Sequence, residues 1–481
     1  MLQNKDISIV CEIKEFFASS EKAIFTIFEK MSSLTLSEKQ FQIESNCNNR
    51  YKNIEKLMLI ILYPFFSIGN SSQYISSSLH PFMQCGKDVF YRFINNPSIC
   101  WRNIHYKISK QLIKQVSKHS DKRENESPRC LIIDDTDFPK TGRQIEHIGK
   151  VFSHVTKQSI LAFKALFVGY YDGKSFFALD FSLHGELGKN EKRPYGMSLK
   201  EIKKRFIKKR DKQTAGSNRE KEFYLTKIQS MIQMIRRAIQ QGIRFDYVLV
   251  DSWFTCHELV KFITTRKIPC HFLGMAKMAK TRYGYNGKNL TAKELIEALK
   301  KSKKLKRSQL LSYYNAQAHV DFKGIPVKVF FFKTSRRGNW NMLLTTNLDL
   351  VFEKAYKIYS TRWNIEVFFK EAKQHLELGK CQSQDFDAQI ATTTISMIQY
   401  NLLTSVKRYA AYESLGELFR RANVDTIQLT VNERIWRIIL DIAMILAEEL
   451  EIDIEIFVEK FLADNERIRK ILNYESLKIA S

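Results

Sequence analysis

Tyr359, Arg362, Glu366 and Lys373 follow one another at intervals of three, four and seven residues in the stretch Y-S-T-R-W-N-I-E-V-F-F-K-E-A-K. The stretch has no Gly or Pro and is built mostly of good helix formers, so it predicts a helix from Tyr359 to Lys373. On a helix those steps bring the four side chains to roughly one face. Ile358, Ile365, Phe369, Ala372 and Leu376 supply a neighbouring apolar stripe that can dock on a core. A phenol, a guanidinium, a carboxylate and an ammonium on one stripe suit a site that holds a metal ion and a phosphate together. The plain alternative is that Arg362 and Glu366, and Glu366 and Lys370, are solvated i,i+4 pairs, worth only tenths of a kcal/mol.

Two further acids upstream favour the chemical reading. Cys130-Leu131-Ile132-Ile133 is a short apolar run stopped by Asp134-Asp135-Thr136-Asp137. Phe245-Asp246-Tyr247-Val248-Leu249-Val250 is a second run, stopped by Asp251-Ser252-Trp253-Phe254. Each pattern predicts a buried strand with an acid at its C-terminal end. Asp134 lies 117 residues before Asp251, and Asp251 lies 115 before Glu366. Carboxylates converging from two strand ends and a helix are what a hard divalent cation needs. Two such ions about 3.5–4 Å apart can activate water or a 3′-hydroxyl and stabilise the leaving oxygen of a phosphodiester. Asp134 and Asp135 compete for the first position, because adjacent residues of an extended strand face opposite ways.

The elements that must position these acids can be read in order. Apolar residues recur at helical spacing through Ile13–Met31, Ile54–Phe66 and Val89–Val116. In the segment Phe90–Lys118, Arg92, Arg102, Lys107, Lys110, Lys114 and Lys118 alternate with Phe90, Phe93, Trp101 and Tyr106. That pattern suits either a DNA-reading unit or an ordinary amphipathic helix. Ser159–Tyr171 and Ser175–Leu183 predict a hairpin turning at Asp172-Gly173-Lys174. The basic peak of the chain follows, with Lys203, Lys204, Arg205, Lys208, Lys209, Arg210 and Lys212, and is expected to touch DNA. Ile228–Ile239 and His257–Thr265 predict helices, and His271–Met275 a strand. Ser312–Asp321, Pro326–Lys333 and Trp340–Thr346 predict the strands of a β-rich insertion. Ala388–Ala410, Ile435–Leu450 and Asp453–Leu472 predict terminal helices.

The 481-residue chain carries a formal net charge of +26. A pI near 9.6 makes a polyanion the natural partner, nucleic acid before an anionic membrane. Met1–Val10 lacks the apolar segment of a signal peptide. Leu57–Phe66 is too short to span a bilayer and contains Pro64. The eight cysteines are scattered without a CxxC pair, which indicates neither a zinc site nor a disulfide framework. These features predict a cytoplasmic protein without membrane association.

The motifs D-D-T at Asp134–Thr136, D-S-W-F at Asp251–Phe254 and Y-x2-R-x3-E-x6-K at Tyr359, Arg362, Glu366 and Lys373 resemble those of bacterial DDE transposases of the insertion sequence 4 family. The resemblance covers about residues 130–380. It implies an α/β fold with a ribonuclease-H-like catalytic core, interrupted by a mainly β insertion and flanked by helical N- and C-terminal regions. The expected layout is a DNA-binding helical region over 1–125, the first part of the core over 126–278, the insertion over 279–350, the rest of the core with the Glu helix over 351–400, and a helical, dimer-forming region over 401–481. The resemblance also implies that Asp134, Asp251 and Glu366 form a catalytic triad binding two Mg²⁺ ions, with Mn²⁺ as a substitute, and that Tyr359, Arg362 and Lys373 meet DNA phosphate. Its usual first motif favours Asp134 over Asp135. The implied activity is cut-and-paste transposition, acting on double-stranded transposon ends and target DNA through a synaptic homodimer. Members that form hairpin ends stack a base on a Trp in the insertion. Trp340 is near that place, but its register against Leu343-Leu344-Thr345 is one residue off, and a core role fits it equally. The alternatives are a related nuclease without strand transfer and an inactive DNA-binding regulator.

Overall fold

The computed structural model describes residues 23–41, 50–118, 127–265 and 269–449. The expected helix at Asp453–Leu472 lies outside them. The described residues fall into two compact units. One comprises those within Met1–Leu112, Gln374–Glu377 and Ala391–Ser481, and the other those within Ile113–Lys373 and Leu378–Ile390.

The first unit is helical. Helices α1 (Ala23–Ser32), α2 (Asn53–Leu62), α3 (Lys87–Ile94) and α4 (Trp101–Lys118) come first. Phe90, Phe93, Trp101 and Tyr106, which a DNA-reading unit would expose, are buried. Lys107, Lys110, Lys114 and Lys118 fall on the exposed stripe of α4. The segment forms two helices, α3 and α4, whose aromatic side chains are core, while the lysines of α4 lie outside. Gln399 donates to the carbonyls of Ile60 and Ile61, tying the late helix Phe386–Lys407 to the end of α2.

The second unit carries one twelve-stranded sheet. The run at Cys130–Ile133 continues as β1 through Pro139, because Asp134–Asp137 keep pairing with the long antiparallel strand β3 (Gln158–Tyr171). β2 (Gly149–Ser153) and β4 (Phe176–His184) flank β3. The turn at Asp172 is held by its own carboxylate, which accepts from the amides of Lys174 and Ser175. β5 (Tyr247–Val250) lies parallel to β1, and β6 (His271–Ala276) parallel to β5. The order β4-β3-β1-β5-β6, with an antiparallel half and a parallel half, fits a ribonuclease-H-like core. Between β4 and β5 lie helices α5 (Leu199–Lys203), α6 (Ala215–Phe223) and α7 (Lys227–Gln240), and between β5 and β6 lies α8 (His257–Thr265).

The β-rich stretch does not form a sheet of its own. β7 (Arg282–Tyr285), β8 (Lys288–Thr291), β9 (Lys306–Arg307), β10 (Tyr314–Asp321), β11 (Pro326–Lys333) and β12 (Asn341–Thr345) extend the core sheet. β12 pairs with β6, placing Met342 opposite Ala276. The stretch also contains a helix that the strand pattern did not predict, α9 (Ala292–Lys301). Its sequence signal is the capping box at Thr291 and Glu294, in which each side chain accepts from the other residue's amide. Helices α10 (Phe352–Ser360), α11 (Asn364–His375), α12 (Phe386–Lys407) and α13 (Leu415–Glu449) follow. Among the described residues no helix is long and apolar enough to cross a membrane.

Candidate active site

The parallel pairing of β1 with β5 sets Ile133 opposite Val250. Asp134 and Asp251 follow these residues, so two acids far apart in sequence stand side by side where β5 ends, although β1 runs on to Pro139 and does not end at its acid as expected; neighbouring strands lie about 4.8 Å apart. After Val250 the chain turns away. Asp251 Oδ1 accepts from the amides of Trp253 at 2.8 Å and Phe254 at 3.1 Å. Thr255 Oγ1 closes the loop by donating to the carbonyls of Asp251 and Met275. Gly274 makes room for this, since a Cβ there would lie 2.6 Å from Thr255 Oγ1.

The pleat of β1 sets which way each acid faces. Asp134 Oδ2 accepts from Arg362 Nη1 at 2.7 Å, and Thr136 Oγ1 accepts from Lys373 Nζ at 2.6 Å. Asp135 instead binds Lys227 Nζ at 2.6 Å, and Asp137 binds Lys164 at 2.6 Å. Asp134 and Thr136 thus face the signature helix, while Asp135 and Asp137 face the other way, as strand alternation requires.

The expected single helix from Tyr359 to Lys373 is interrupted. α10 ends at Ser360, a 3₁₀ turn spans Thr361–Trp363, and α11 begins at Asn364. Arg362 lies in the tighter turn. It reaches Asp134 with one terminal nitrogen and Glu366 Oε1 with the other, at 2.5 Å. Its guanidinium also lies 5.9 Å from the centre of the Tyr359 ring. The structure therefore gathers Asp134, Glu366, Arg362 and Tyr359 around one guanidinium, with Asp251 next to Asp134. Lys373 is directed elsewhere, to Thr136 and the Asp137 carbonyl, with the Phe138 ring beneath it. Arg362 and Lys373, the expected phosphate contacts, are here engaged by protein groups.

Burial sets the electrostatics. It pushes the Asp134 carboxyl up to about 7, against the pull of Arg362 and with the added push of Asp251. Burial also raises the Tyr359 phenol to about 12 and lowers the Lys373 ammonium. A buried carboxylate beside a second one, both with oxygen-only donors, suits a hard divalent cation, which would favour the charged form of both. Among the described residues, the group whose ligand-type atoms all lie within 4.8 Å of one another is Glu146, His147 and Glu220, rather than the triad.

That second cluster is engaged by protein cations. Arg210 donates to both oxygens of Glu146, at 2.7 and 2.5 Å, and to Asp387 at 3.0 Å. Lys208 bridges Asp385 at 2.7 Å and Asp387 at 2.9 Å. Burial lowers His147 to about 4, so its ring is neutral. This corrects the reading of the basic peak. Arg210, with a side chain 1% exposed, and Lys208 are internal ion-pair partners, while Lys203, Lys204, Lys209 and Lys212 are exposed. The acids that capture them are Glu146, between β1 and β2, Asp385, just before α12, and Asp387, in its first turn. Lys227, the partner of Asp135, was also not anticipated. No local pattern marks such pairs, because they join residues up to 177 positions apart.

Residues 69–271 match the model of the family described as DDE superfamily endonuclease. The match takes in Asp134 and Asp251, covers less than half of the chain and ends before Glu366. It supports a DDE-endonuclease-like character for that part. No curated protein matches the chain in sequence. Among solved structures, a piggyBac transposase synaptic complex with hairpin DNA is similar at 12% identity, over 90% of this chain and 82% of that one, with a TM-score of 0.41. The NurA nuclease from Sulfolobus solfataricus is similar at 9% identity over 52% and 80%, with a TM-score of 0.23. A Drosophila P element transposase strand transfer complex is similar at 8% identity over 56% and 54%, with a TM-score of 0.22.

Proposed function

We propose that this chain is a DDE transposase of the insertion sequence 4 type, which cuts double-stranded DNA at the ends of its element and joins those ends to a target. The observation that carries the reading is that Asp134 stands beside Asp251 and shares the Arg362 guanidinium with Glu366. Bound divalent cations, Mg²⁺ or in its place Mn²⁺, would activate the attacking water or 3′-hydroxyl and stabilise the leaving oxygen. Asp134, beside Asp251 and bridged to Glu366 through Arg362, would hold the cations together with those two acids. Acids that serve two ions need not close around one point.

The chain's own residues have separable tasks. Asp251 commits Oδ1 to the amides of Trp253 and Phe254, which fixes its carboxylate. Arg362 holds Asp134 and Glu366 together in the DNA-free protein. Its planar fork is equally suited to a phosphate, and a lysine could not copy it. Lys373 pins the end of β1 and so fixes the direction of Asp134. Tyr359 packs under Arg362 and limits where the guanidinium can go. The excess of basic residues supplies sequence-independent attraction for DNA, and two chains synapsing two ends would form the working homodimer.

The test is incubation of the protein with labelled duplex carrying the DNA that flanks its own gene, in Mg²⁺ and in chelator. Cleaved ends and joined product, both lost in chelator, are expected. Cleavage without any joined product would select the nuclease reading, and neither product at any metal concentration would contradict both.

A further inference from the structure

Lys227 stands on the face of β1 away from the signature helix and has no task in the chemistry described above. Its Nζ donates to Asp135 Oδ2 at 2.6 Å and lies 4.6 Å from the centre of the Trp253 ring. The ammonium thus sits between a carboxylate of β1 and the indole of the loop that follows β5, with the Lys227 side chain only 16% exposed. Both ends of this contact are fixed. Asp135 is held in the ladder opposite Leu166. Lys227 is the first residue of α7, whose start is closed by a capping box. In it the Thr226 amide donates to Gln229 Oε1 at 3.0 Å, and the Gln229 amide donates to Thr226 Oγ1 at 3.2 Å. The carbonyl of Leu225, just before the cap, meets Nδ1 of the buried His184 of β4 at 3.1 Å.

What the ammonium holds is an aromatic ring that the core does not. Trp253 is 46% exposed and meets the buried Phe254 edge-on at 4.7 Å. A ring so open to solvent keeps one orientation only if something outside the core restrains it, and a cation over an indole face is a strong restraint once partly desolvated. The orientation of Trp253 matters to the acid two residues before it. The amides of Trp253 and Phe254 donate to Asp251 Oδ1 at 2.8 and 3.1 Å. Anchoring the indole therefore anchors the backbone that aims the Asp251 carboxylate. A continuous line of contacts runs from Asp135 through Lys227 and Trp253 to Asp251.

From this line of contacts we infer that Lys227 is a positioning residue for Asp251: pinned by Asp135, it restrains the Trp253 ring and so fixes the direction in which the Asp251 carboxylate meets a divalent cation. Asp135 then has a task as the anchor of Lys227 without being a ligand. The inference rests on the reading of Asp251 as a cation ligand. Groups that orient a ligand from outside the coordination sphere set metal affinity strongly. Simple electrostatics argues for the opposite effect. Removing an ammonium near the acids, and leaving the Asp135 carboxylate unpaired, would draw a divalent cation in more tightly. Positioning instead predicts weaker binding, so the sign of the change separates the two.

The test is Mn²⁺ binding by the full chain without DNA, followed by the electron paramagnetic resonance of the free ion, with Asp251→Asn marking the binding that depends on that acid. Lys227→Met and Trp253→Leu are each expected to weaken this binding about tenfold. The double variant should be no weaker than either single one, because both cut the same linkage. Lys227→Arg keeps a cation for Asp135 and for the ring, and should bind close to the parent. Parent-like or tighter binding in Lys227→Met, with binding lost in Asp251→Asn, would overturn this inference alone, as would losses that multiply in the double variant. Unchanged binding in Asp251→Asn would overturn the reading of Asp251 as a ligand, and the inference with it. Should Lys227→Met not fold, Trp253→Leu decides, since its ring lies outside the core, and parent affinity there would overturn the inference equally.

Discussion

Arg362 and Asp134 form an ion pair at 2.7 Å across 228 residues of sequence, with both side chains about five-sixths buried. The same guanidinium holds Glu366. The pair that looked on sequence grounds like an ordinary i,i+4 contact is therefore one arm of a three-residue bridge between β1 and a helix.

Removing one partner of such a buried pair strands the other and costs about 3–5 kcal/mol. Arg362→Ala should thus lower the melting temperature of the metal-free protein, and added Mn²⁺ should recover more of the loss than it adds to the parent, because the cation takes over the neutralisation of Asp134. Arg362→Lys keeps the charge without the fork and should fall between. Thermal shift with and without Mn²⁺ measures this. A melting temperature unchanged in Arg362→Ala would mean that the bridge does not hold in solution.

The basic peak should divide into two behaviours. Arg210→Met leaves Glu146 and Asp387 without their guanidinium and should cost several kcal/mol, read as a lower denaturant midpoint. Replacing Lys203, Lys204, Lys209 and Lys212 with Ala should leave that midpoint nearly unchanged. It should instead flatten the salt dependence of duplex binding by about 0.9 in slope for each phosphate no longer neutralised. The reverse pattern would show that the exposed and internal members have been exchanged.

His184 gives the pH prediction. Its Nε2 lies 2.7 Å from Ser182 Oγ, its Nδ1 lies 3.1 Å from the Leu225 carbonyl, and burial lowers its pKa to about 4. The unfolded chain takes up the proton near the ordinary value of about 6.5. The stability contributed by the neutral ring is therefore complete above that pH and is lost as pH falls towards about 4. Asp134, raised to about 7, acts with the opposite sign in the same window, since its protonation favours the folded state as pH falls. Measured in an Asp134→Asn background, melting temperature should fall between pH 6.5 and 4, and His184→Gln should flatten that fall.

Much of the site's layout was legible because it rests on local patterns. Apolar runs ending in acids marked β1 and β5, and Asp-Gly marked the β3–β4 turn. What escaped depends on long-range placement. The 3₁₀ turn at Thr361–Trp363 has no local breaker in the sequence, and from it Arg362 reaches β1. Lys208 and Arg210 belong to a run that looks solvated, and only the fold brings Glu146, Asp385 and Asp387 to them. The rings at Phe90, Phe93, Trp101 and Tyr106 are apolar enough for core or DNA, and packing alone decides for core.

The central claim is that Asp134, not Asp135, joins Asp251 and Glu366 in holding the cations. The most direct measurement is single-turnover cleavage of the flanking-DNA duplex in Mg²⁺ by Asp134→Asn, Asp135→Asn, Asp251→Asn and Glu366→Gln, each first shown to fold and to bind duplex. The account predicts cleavage at background for Asp134→Asn, Asp251→Asn and Glu366→Gln, and retained cleavage for Asp135→Asn, whose partner is Lys227 on the other face. Parent-like cleavage by Asp134→Asn or Glu366→Gln would contradict it.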